Sequence, residues 1–186
     1  MNTRDALLDC AERAARARGY DGFSYADLAD EIGIRKASIH HHFPTKADLA
    51  LELMRRYRAS VFETLQRLAA DEPRGSGRIR GFLAVYRAAL GGGQSACLCV
   101  MFSAGREALS DPVLAELNRF HTDALAWLAD AFARARDDGS IADLAAPEAE
   151  AAACLALVEG AQLMARAATR VELFDAAVAR LQGRLG

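Results

Sequence analysis

The stretch GYDGFSYADLADEIGIRKASIHHHFPTKADLA, residues 19–50, holds two short apolar-patterned segments separated by a glycine. Ser24 and Asp27 are spaced as a capping box, in which a hydroxyl and a carboxylate satisfy amides at a helix start. Gly33 can take the left-handed conformation that ends many helices, and Pro44 cannot continue one. The stretch therefore predicts a short helix, a glycine turn and a second short helix, which is the helix-turn-helix shape.

The rest of the chain is also predicted to be helical. Ala, Leu, Arg and Glu dominate, and no run alternates apolar and polar residues for long enough to favour a strand. We expect an all-α chain of about nine helices. They are predicted over about residues 3–18, 25–32, 35–42, 45 to a break at 71, 79–90, 96–108, 111 to a break near 136, 147–168 and 171–185. The break DEPRGSG, residues 71–77, is the strongest candidate for an internal boundary because it is rich in Pro, Gly and Ser.

Composition limits the function classes. The chain is 52% hydrophobic and 26% charged, which is typical of a globular protein, and its net charge of -2 excludes a polycation. Residues 35–58 nevertheless carry six arginines and lysines against two acidic side chains, whereas residues 59–186 carry 13 against 16. A local basic face of this kind is typical of a nucleic-acid footprint, although a solvated helix surface has the same charge pattern.

The sequence shows no recognisable targeting or membrane-spanning segment. The N-terminus has no signal-peptide core, and no uninterrupted apolar run is long enough to cross a bilayer, so we expect a cytoplasmic protein without a membrane partner. In that compartment the four cysteines are expected to be reduced thiols: Cys10, Cys97, Cys99 and Cys154.

The motif resembles the DNA-binding domain of the TetR family of bacterial repressors. The resemblance covers roughly residues 4–55 and is carried by a glycine-aromatic pair, a cap, a Leu-Ala pair, a Gly-Ile turn, a His cluster with Phe, and a Lys with an acidic residue. In this chain these are Gly19-Tyr20, Ser24, Leu28-Ala29, Gly33-Ile34, His40-His41-His42-Phe43, Lys46 and Asp48. The resemblance implies a three-helix DNA-binding domain over residues 1–46 and a helical ligand-binding and dimerisation domain over residues 47–186.

The resemblance assigns DNA contacts to side chains on the second and third helices and at the start of the fourth. They are Ser24, Tyr25, Arg35, Lys36, Ser38, His40, His41 and Lys46. Two positions depart from the family pattern. Arg35 stands where the family usually has a Ser or Thr cap, which costs on the order of 1 kcal/mol. His40 stands where Tyr is usual, so DNA affinity is expected to rise as pH falls, because imidazole titrates near neutral pH.

A histidine triplet also invites a metal hypothesis. Successive helical residues are about 100° apart, so His40 and His42 point to nearly opposite sides and cannot close on one ion. We therefore predict no metal and no cofactor, and favour DNA contact over a histidine cluster that only ends a helix.

The C-terminal part is expected to bind a small-molecule effector and to form a homodimer through its last two helices, since a palindromic DNA operator needs two heads. Aromatic and methionine residues suit an apolar ligand with a few polar handles, although the same residues at helical spacing also form ordinary cores. The predicted ligand-binding residues are Phe82, Tyr86, Cys97, Met101, Phe102, Arg106, Phe120, His121, Trp127 and Gln162.

The leading hypothesis is a repressor that a small molecule releases from DNA. The first alternative is a thiol sensor: Ser95 caps the sixth helix, Cys97 lies in its first turn, and the helix amides lower the pKa of that thiol. The second alternative is a helical-bundle enzyme or carrier without DNA binding, in which Cys97 and His121 are the one nucleophile–base pair to consider. With no phosphate loop or metalloprotease motif in the sequence, we predict that the chain is not an enzyme.

Overall fold

The computed structural model describes residues 3–186, and that range forms nine α-helices and no strand. The all-α prediction is therefore confirmed. The helices are α1 Thr3–Arg18, α2 Tyr25–Ile32, α3 Lys36–His42, α4 Lys46–Asp71, α5 Gly75–Ala88, α6 Leu98–Ala104, α7 Asp111–Asp137, α8 Pro147–Ala168 and α9 Glu172–Arg184. Single 3₁₀ turns lie at Gly91–Gly93 and Arg106–Ala108.

The chain folds into two compact units. The first unit comprises the residues up to 59 together with Leu98–Arg119, and the second comprises Ser60–Cys97 and Phe120–Gly186. The first core includes Leu7, Leu28, Ile39, Leu49 and Leu53, all fully buried, and the second is built around Phe82, Phe120, Phe132 and Phe174. The functional division after residue 46 stays a prediction.

Helix α5 begins earlier than its apolar pattern predicts, at Gly75, so part of the Gly-rich break is helical and buried. The amide of Gly75 donates to Asp138 Oδ2 at 2.8 Å, and the amide of Ser76 donates to Ser140 Oγ at 3.0 Å. A Cβ at Gly75 would lie 2.1 Å from the backbone nitrogen of Ala135. This glycine thus allows a close helix contact within the second unit, so the interpretation of residues 71–77 as a boundary was wrong.

Helix α6 is shorter than predicted and begins at Leu98 instead of about residue 96. Ser95 does not cap it, because its hydroxyl donates to the carbonyl of Ala89 at 2.9 Å. Cys97 therefore precedes the helix, and its side chain is 2% exposed. The predicted first-turn position was wrong, because Cys97 lies directly before the first residue of α6, and activation of its thiol stays a prediction.

Helix α8 packs against α9 in the second unit and matches its predicted bounds. It is also the one helix among residues 3–186 whose length and apolar composition would allow it to cross a membrane, a test that core helices of soluble proteins pass as well. Cys154, Leu155 and Val158 line its buried face, whereas Leu163 and Met164 are 41% and 59% exposed. An apolar surface of α8 is therefore left uncovered within the single chain.

Candidate nucleic-acid interface

Helices α2 and α3 form a helix-turn-helix in the first unit. Ser24 caps α2 in a reciprocal capping box: the Asp27 amide donates to Ser24 Oγ at 3.3 Å, and the Ser24 amide donates to Asp27 Oδ2 at 2.6 Å. The Ser24 hydroxyl also donates to Asp27 Oδ2 at 2.8 Å, and this bond together with that from the Ser24 amide lowers the pKa of the Asp27 carboxyl. Gly33 ends α2 with a φ of 75°, the left-handed conformation that glycine adopts without strain. The local sequence thus fixes both ends of α2 and sets where α3 begins.

The start of α3 has no side-chain cap, as the Arg35 substitution predicted. Ile39 faces the core at 0% exposed, whereas Arg35, Lys36, Ser38 and His41 are exposed. Ser38, His41 and Arg35 also line an open groove of about 540 Å³. Arg35, Ser38 and His41 therefore share one accessible groove, and contact of the predicted set with DNA stays a prediction.

The positive charges on α3 differ from those of the helices around it. Arginines of α1 and α4 form ion pairs inside the first unit: Arg4 with Glu52 at 2.8 Å, Arg13 with Glu31 at 2.8 Å, Arg56 with Asp9 at 2.7 Å, and Arg58 with the buried Glu116 at 3.8 Å. Within residues 3–186, Arg35 and Lys36 have no ion pair, and no acidic residue lies in the first turn of α3. Their charge is available to an anionic partner.

Tyr25, predicted to meet phosphate, points its hydroxyl at the linker between α3 and α4. The oxygen lies 2.9 Å from the carbonyl oxygen of Phe43 and 2.6 Å from that of Thr45, so its proton is shared between two acceptors. The side chain is 7% exposed, and burial raises the pKa of the phenol. The visible role of Tyr25 is to hold the linker, and its phosphate contact stays a prediction.

Lys46, predicted to meet phosphate as well, lies between two aromatic rings. Its Nζ is 4.5 Å from the centroids of both Tyr20 and Phe23 and donates to the carbonyl of Phe23 at 2.6 Å. Burial lowers the pKa of Lys46. The cation fastens the loop between α1 and α2 to the start of α4, a role that charge counting alone did not predict.

Lys46→Met is expected to lower the free energy of unfolding by about 1–2 kcal/mol, because the alkyl stem stays while two cation–π contacts and a charged hydrogen bond are lost. The matched control is Lys36→Met, since these two are the lysines of the chain and Lys36 is exposed. Urea unfolding followed by circular dichroism measures both. Equal stability of the two variants would contradict the structural role of Lys46.

The rings of the histidine triplet have different neighbours. His40 stands edge-on to the Tyr25 ring at 4.9 Å, while the rings of His41 and His42 are 5.4 Å apart. In the described part of the chain, no group of three or more His, Cys, Asp or Glu side chains is placed to hold a metal ion.

The predicted ligand-binding residues fall into both units. In the second unit Phe82 packs on Tyr86 at 4.8 Å and stacks on Trp127 at 5.7 Å, and Phe120 lies edge-on to His121 at 5.9 Å. In the first unit Met101 and Phe102 are buried, and Arg106 is exposed on a 3₁₀ turn. Their roles as ligand contacts stay predictions.

Polar groups of the second unit gather beside these rings. Gln162, 0% exposed, accepts from the amide of Cys97 at 2.9 Å and donates to the carbonyl of Tyr86 at 2.5 Å. His121 Nε2 lies 3.2 Å from Glu159 Oε1, an ion-pair contact without hydrogen-bond alignment. The Glu159 carboxylate raises the pKa of His121. Gln162 thus ties the segment before α6 to α5 and α8.

The second unit also contains a cavity that was not predicted from the sequence. Its volume is about 580 Å³, and Phe132, Cys154, Leu157 and Leu181 line its apolar part. At its edge Arg184 donates to both carboxylate oxygens of Glu150, at 2.9 and 3.1 Å. The only sequence signal for it is the alternation of small and large residues on α8 and α9, which does not distinguish a cavity from a packed core.

Comparisons with known proteins agree with this geometry. Residues 7–53 match the family model described as "Bacterial regulatory proteins, tetR family". CymR of Pseudomonas putida, an HTH-type transcriptional regulator, is 39% identical over 51 residues, which are 27% of this chain and 25% of CymR. The match therefore spans about a quarter of the length of that relative.

Solved structures extend the likeness to the whole chain. A TetR-family transcriptional regulator from Agrobacterium tumefaciens has a TM-score of 0.92 at 28% identity, covering 98% of this chain and 96% of that one. AibR, solved with isovaleryl coenzyme A and operator DNA, has a TM-score of 0.69 at 22% identity, covering 85% and 84%. Residues 7–53 therefore match the TetR family model, and the chain as a whole has the fold of solved TetR-family transcriptional regulators, which are not enzymes. The prediction that the chain is not an enzyme is thereby confirmed.

Proposed function

We propose that this chain is a cytoplasmic transcriptional regulator that binds a palindromic DNA operator as a homodimer and is released by a small-molecule effector. The observation that carries the proposal is the exposed surface of α3, where Arg35 and Lys36 lack internal ion pairs while neighbouring arginines have them. Phosphates are the partners that such unpaired cations favour, and base edges accept from the same donors.

The effector is proposed to be a non-covalent ligand of the second unit. The aromatic group of Phe82, Tyr86 and Trp127 offers apolar contact, and the His121–Glu159 pair offers polar handles. AibR gives a precedent on the same fold, since its structure holds a coenzyme A thioester together with operator DNA. The thiol-sensing alternative has less support, because Cys97 is buried and lies before the first turn of α6 instead of within it.

The homodimer is proposed to form through α8 and α9. From residue 149 onward, α8 carries an exposed stripe of small or apolar residues that recur mostly every three or four positions: Ala149, Ala152, Ala153, Ala156, Gly160, Leu163, Met164 and Ala167. A stripe of this kind suits close helix packing between two copies related by a two-fold axis. Covering it would also place two α3 helices at a fixed spacing for two half-sites.

The direct test is binding of purified protein to DNA from the region upstream of its own gene, at fixed salt. Lys36→Ala and Arg35→Ala are each expected to weaken binding about 5- to 100-fold and to reduce the salt slope by about one, without loss of thermal stability. The matched control is Arg67→Ala, because Arg67 is an exposed α4 arginine whose Glu63 contact is only 4.0 Å.

The outcomes separate two failures. Equal affinities for Lys36→Ala and Arg67→Ala would remove α3 as the DNA-reading helix. Absence of binding to the upstream DNA, followed by absence of any selected site in a random-sequence DNA pool, would overturn the regulator proposal itself.

A further inference from the structure

The inference concerns His40, whose two ring nitrogens lie in different surroundings. Nδ1 is 3.1 Å from the carbonyl oxygen of Pro44, four residues further along the chain. A carbonyl oxygen only accepts hydrogen bonds, so Nδ1 must carry a proton for this contact to be favourable. In neutral His40 the remaining nitrogen, Nε2, then has a lone pair and no proton.

The contact belongs to a larger clamp on the α3–α4 linker. The Tyr25 hydroxyl is shared between the carbonyl oxygens of Phe43 and Thr45, and His40 Nδ1 donates to the carbonyl oxygen of Pro44. Three consecutive carbonyl groups therefore accept hydrogen bonds from two side chains. The His40 ring also stands edge-on to Tyr25 at 4.9 Å. These contacts hold one edge of the imidazole against the protein, and His40 is nevertheless exposed.

Protonation of His40 leaves the clamp intact. The imidazolium keeps the Nδ1 proton and gains one on Nε2, so the outward nitrogen changes from an acceptor to a donor while the fold is unaltered. Tyr25 does not titrate in the same range, because burial raises the pKa of its phenol. Charged or titratable groups near this site include Lys36, His41 and His42 on α3. Asp48 and Tyr20 act electrostatically on Tyr25, and Lys46 lies over the Tyr20 ring.

We propose that His40 is a proton-coupled DNA contact in which Nδ1 holds the linker and Nε2 donates to a phosphate or guanine oxygen only after protonation. This rests on the proposed function, since α3 must face DNA. Phosphate oxygens and the guanine edge have no donor for a lone pair, so DNA binding takes up a proton at Nε2. Affinity is therefore highest at low pH and falls as pH rises.

The test compares DNA affinity at about pH 6 and about pH 8, at constant ionic strength, using upstream duplex DNA and fluorescence anisotropy. One proton taken up allows at most about a tenfold change per pH unit, and we expect about five- to tenfold over the whole range. His40→Asn keeps a donor near the Nδ1 position and has no Nε2. The variant should have the same stability as the wild type and should lose the part of the pH dependence of DNA affinity that comes from His40.

His41 is a second imidazole on α3, so the effect of His40→Asn is measured in the wild-type and His41→Asn backgrounds. The change in the pH slope of DNA affinity should be the same in both. A separate measurement needs no DNA: nitrogen-15 NMR of labelled histidine at about pH 8 should show His40 as the Nδ1–H tautomer.

An Nε2–H tautomer overturns the inference, and so does DNA binding whose pH slope is unchanged in His40→Asn; both leave the regulator proposal standing. Absence of binding at either pH, both to the upstream DNA and to a random-sequence DNA pool, overturns the regulator proposal and the DNA-facing role of Nε2 together.

Discussion

Gln162→Leu is expected to lower the free energy of unfolding by about 2–4 kcal/mol. The substitution removes two buried hydrogen bonds at once, one from the amide of Cys97 and one to the carbonyl of Tyr86. Each buried backbone group that loses its partner costs about 1–3 kcal/mol, and leucine cannot replace either bond. Urea unfolding at neutral pH, followed by circular dichroism, measures the loss.

The matched control is Gln182→Leu, because Gln182 is an exposed glutamine on α9 and should tolerate the change. Gln162 was predicted from the sequence as a ligand contact, and the experiment separates that role from a structural one. A variant as stable as the control, but with weaker response to an effector, would contradict the structural tie and support the ligand role.

Much of the DNA-binding domain could be predicted from the sequence because its signals are local. A capping box depends on residues three apart. The predicted box forms at Ser24–Asp27, and the same spacing forms a second box at Thr45–Asp48. The left-handed turn at Gly33 depends on one residue. Propensity, capping and turn chemistry agree over these residues, so the helix limits follow without knowledge of the tertiary structure.

The errors arise where distant residues decide the local structure. Gly75 was interpreted as part of a break, whereas it is helical because Ala135 packs against it and Asp138 accepts from its amide. Ser95 was predicted to cap α6, whereas its hydroxyl donates backwards to Ala89. Single-sequence reasoning has no access to such partners, which explains why the second unit was predicted less well than the first.

Sequence-based prediction of the candidate interface was limited for the same reason, because the partners of each side chain could not be known. The sequence indicated which residue types could bind DNA, but not which of them already have partners. Tyr25 and Lys46 carry suitable donors, and each donor is engaged by backbone carbonyls. Arg35 and Lys36 are the predicted cations whose charge remains available to DNA. This distinction depends on where the fold places the acidic side chains.

Gly160→Arg is expected to dissociate the proposed homodimer and to weaken operator binding by about 100-fold or more. Gly160 is exposed on α8, in the middle of the small and apolar stripe, and a Cβ there would meet nothing within 4 Å in the single chain. Arginine has a helix propensity about 0.5–1 kcal/mol better than glycine, so the isolated chain should be no less stable. In a dimer the same side chain would force a charge between two closely packed helices.

Sedimentation velocity measures the fraction of dimer. Fluorescence anisotropy with a palindromic duplex measures operator affinity, which falls when two linked DNA-binding domains become one. The loss of avidity is typically about 10²- to 10⁴-fold. The matched control is Gln66→Arg, which adds the same side chain at an exposed position of α4. If the stripe on α8 instead met a lipid surface, wild-type protein would be monomeric and would bind vesicles, and Gly160→Arg would reduce that binding. A Gly160→Arg variant that remains dimeric with full operator affinity would exclude the stripe on α8 as the interface and require the two copies to meet through another face.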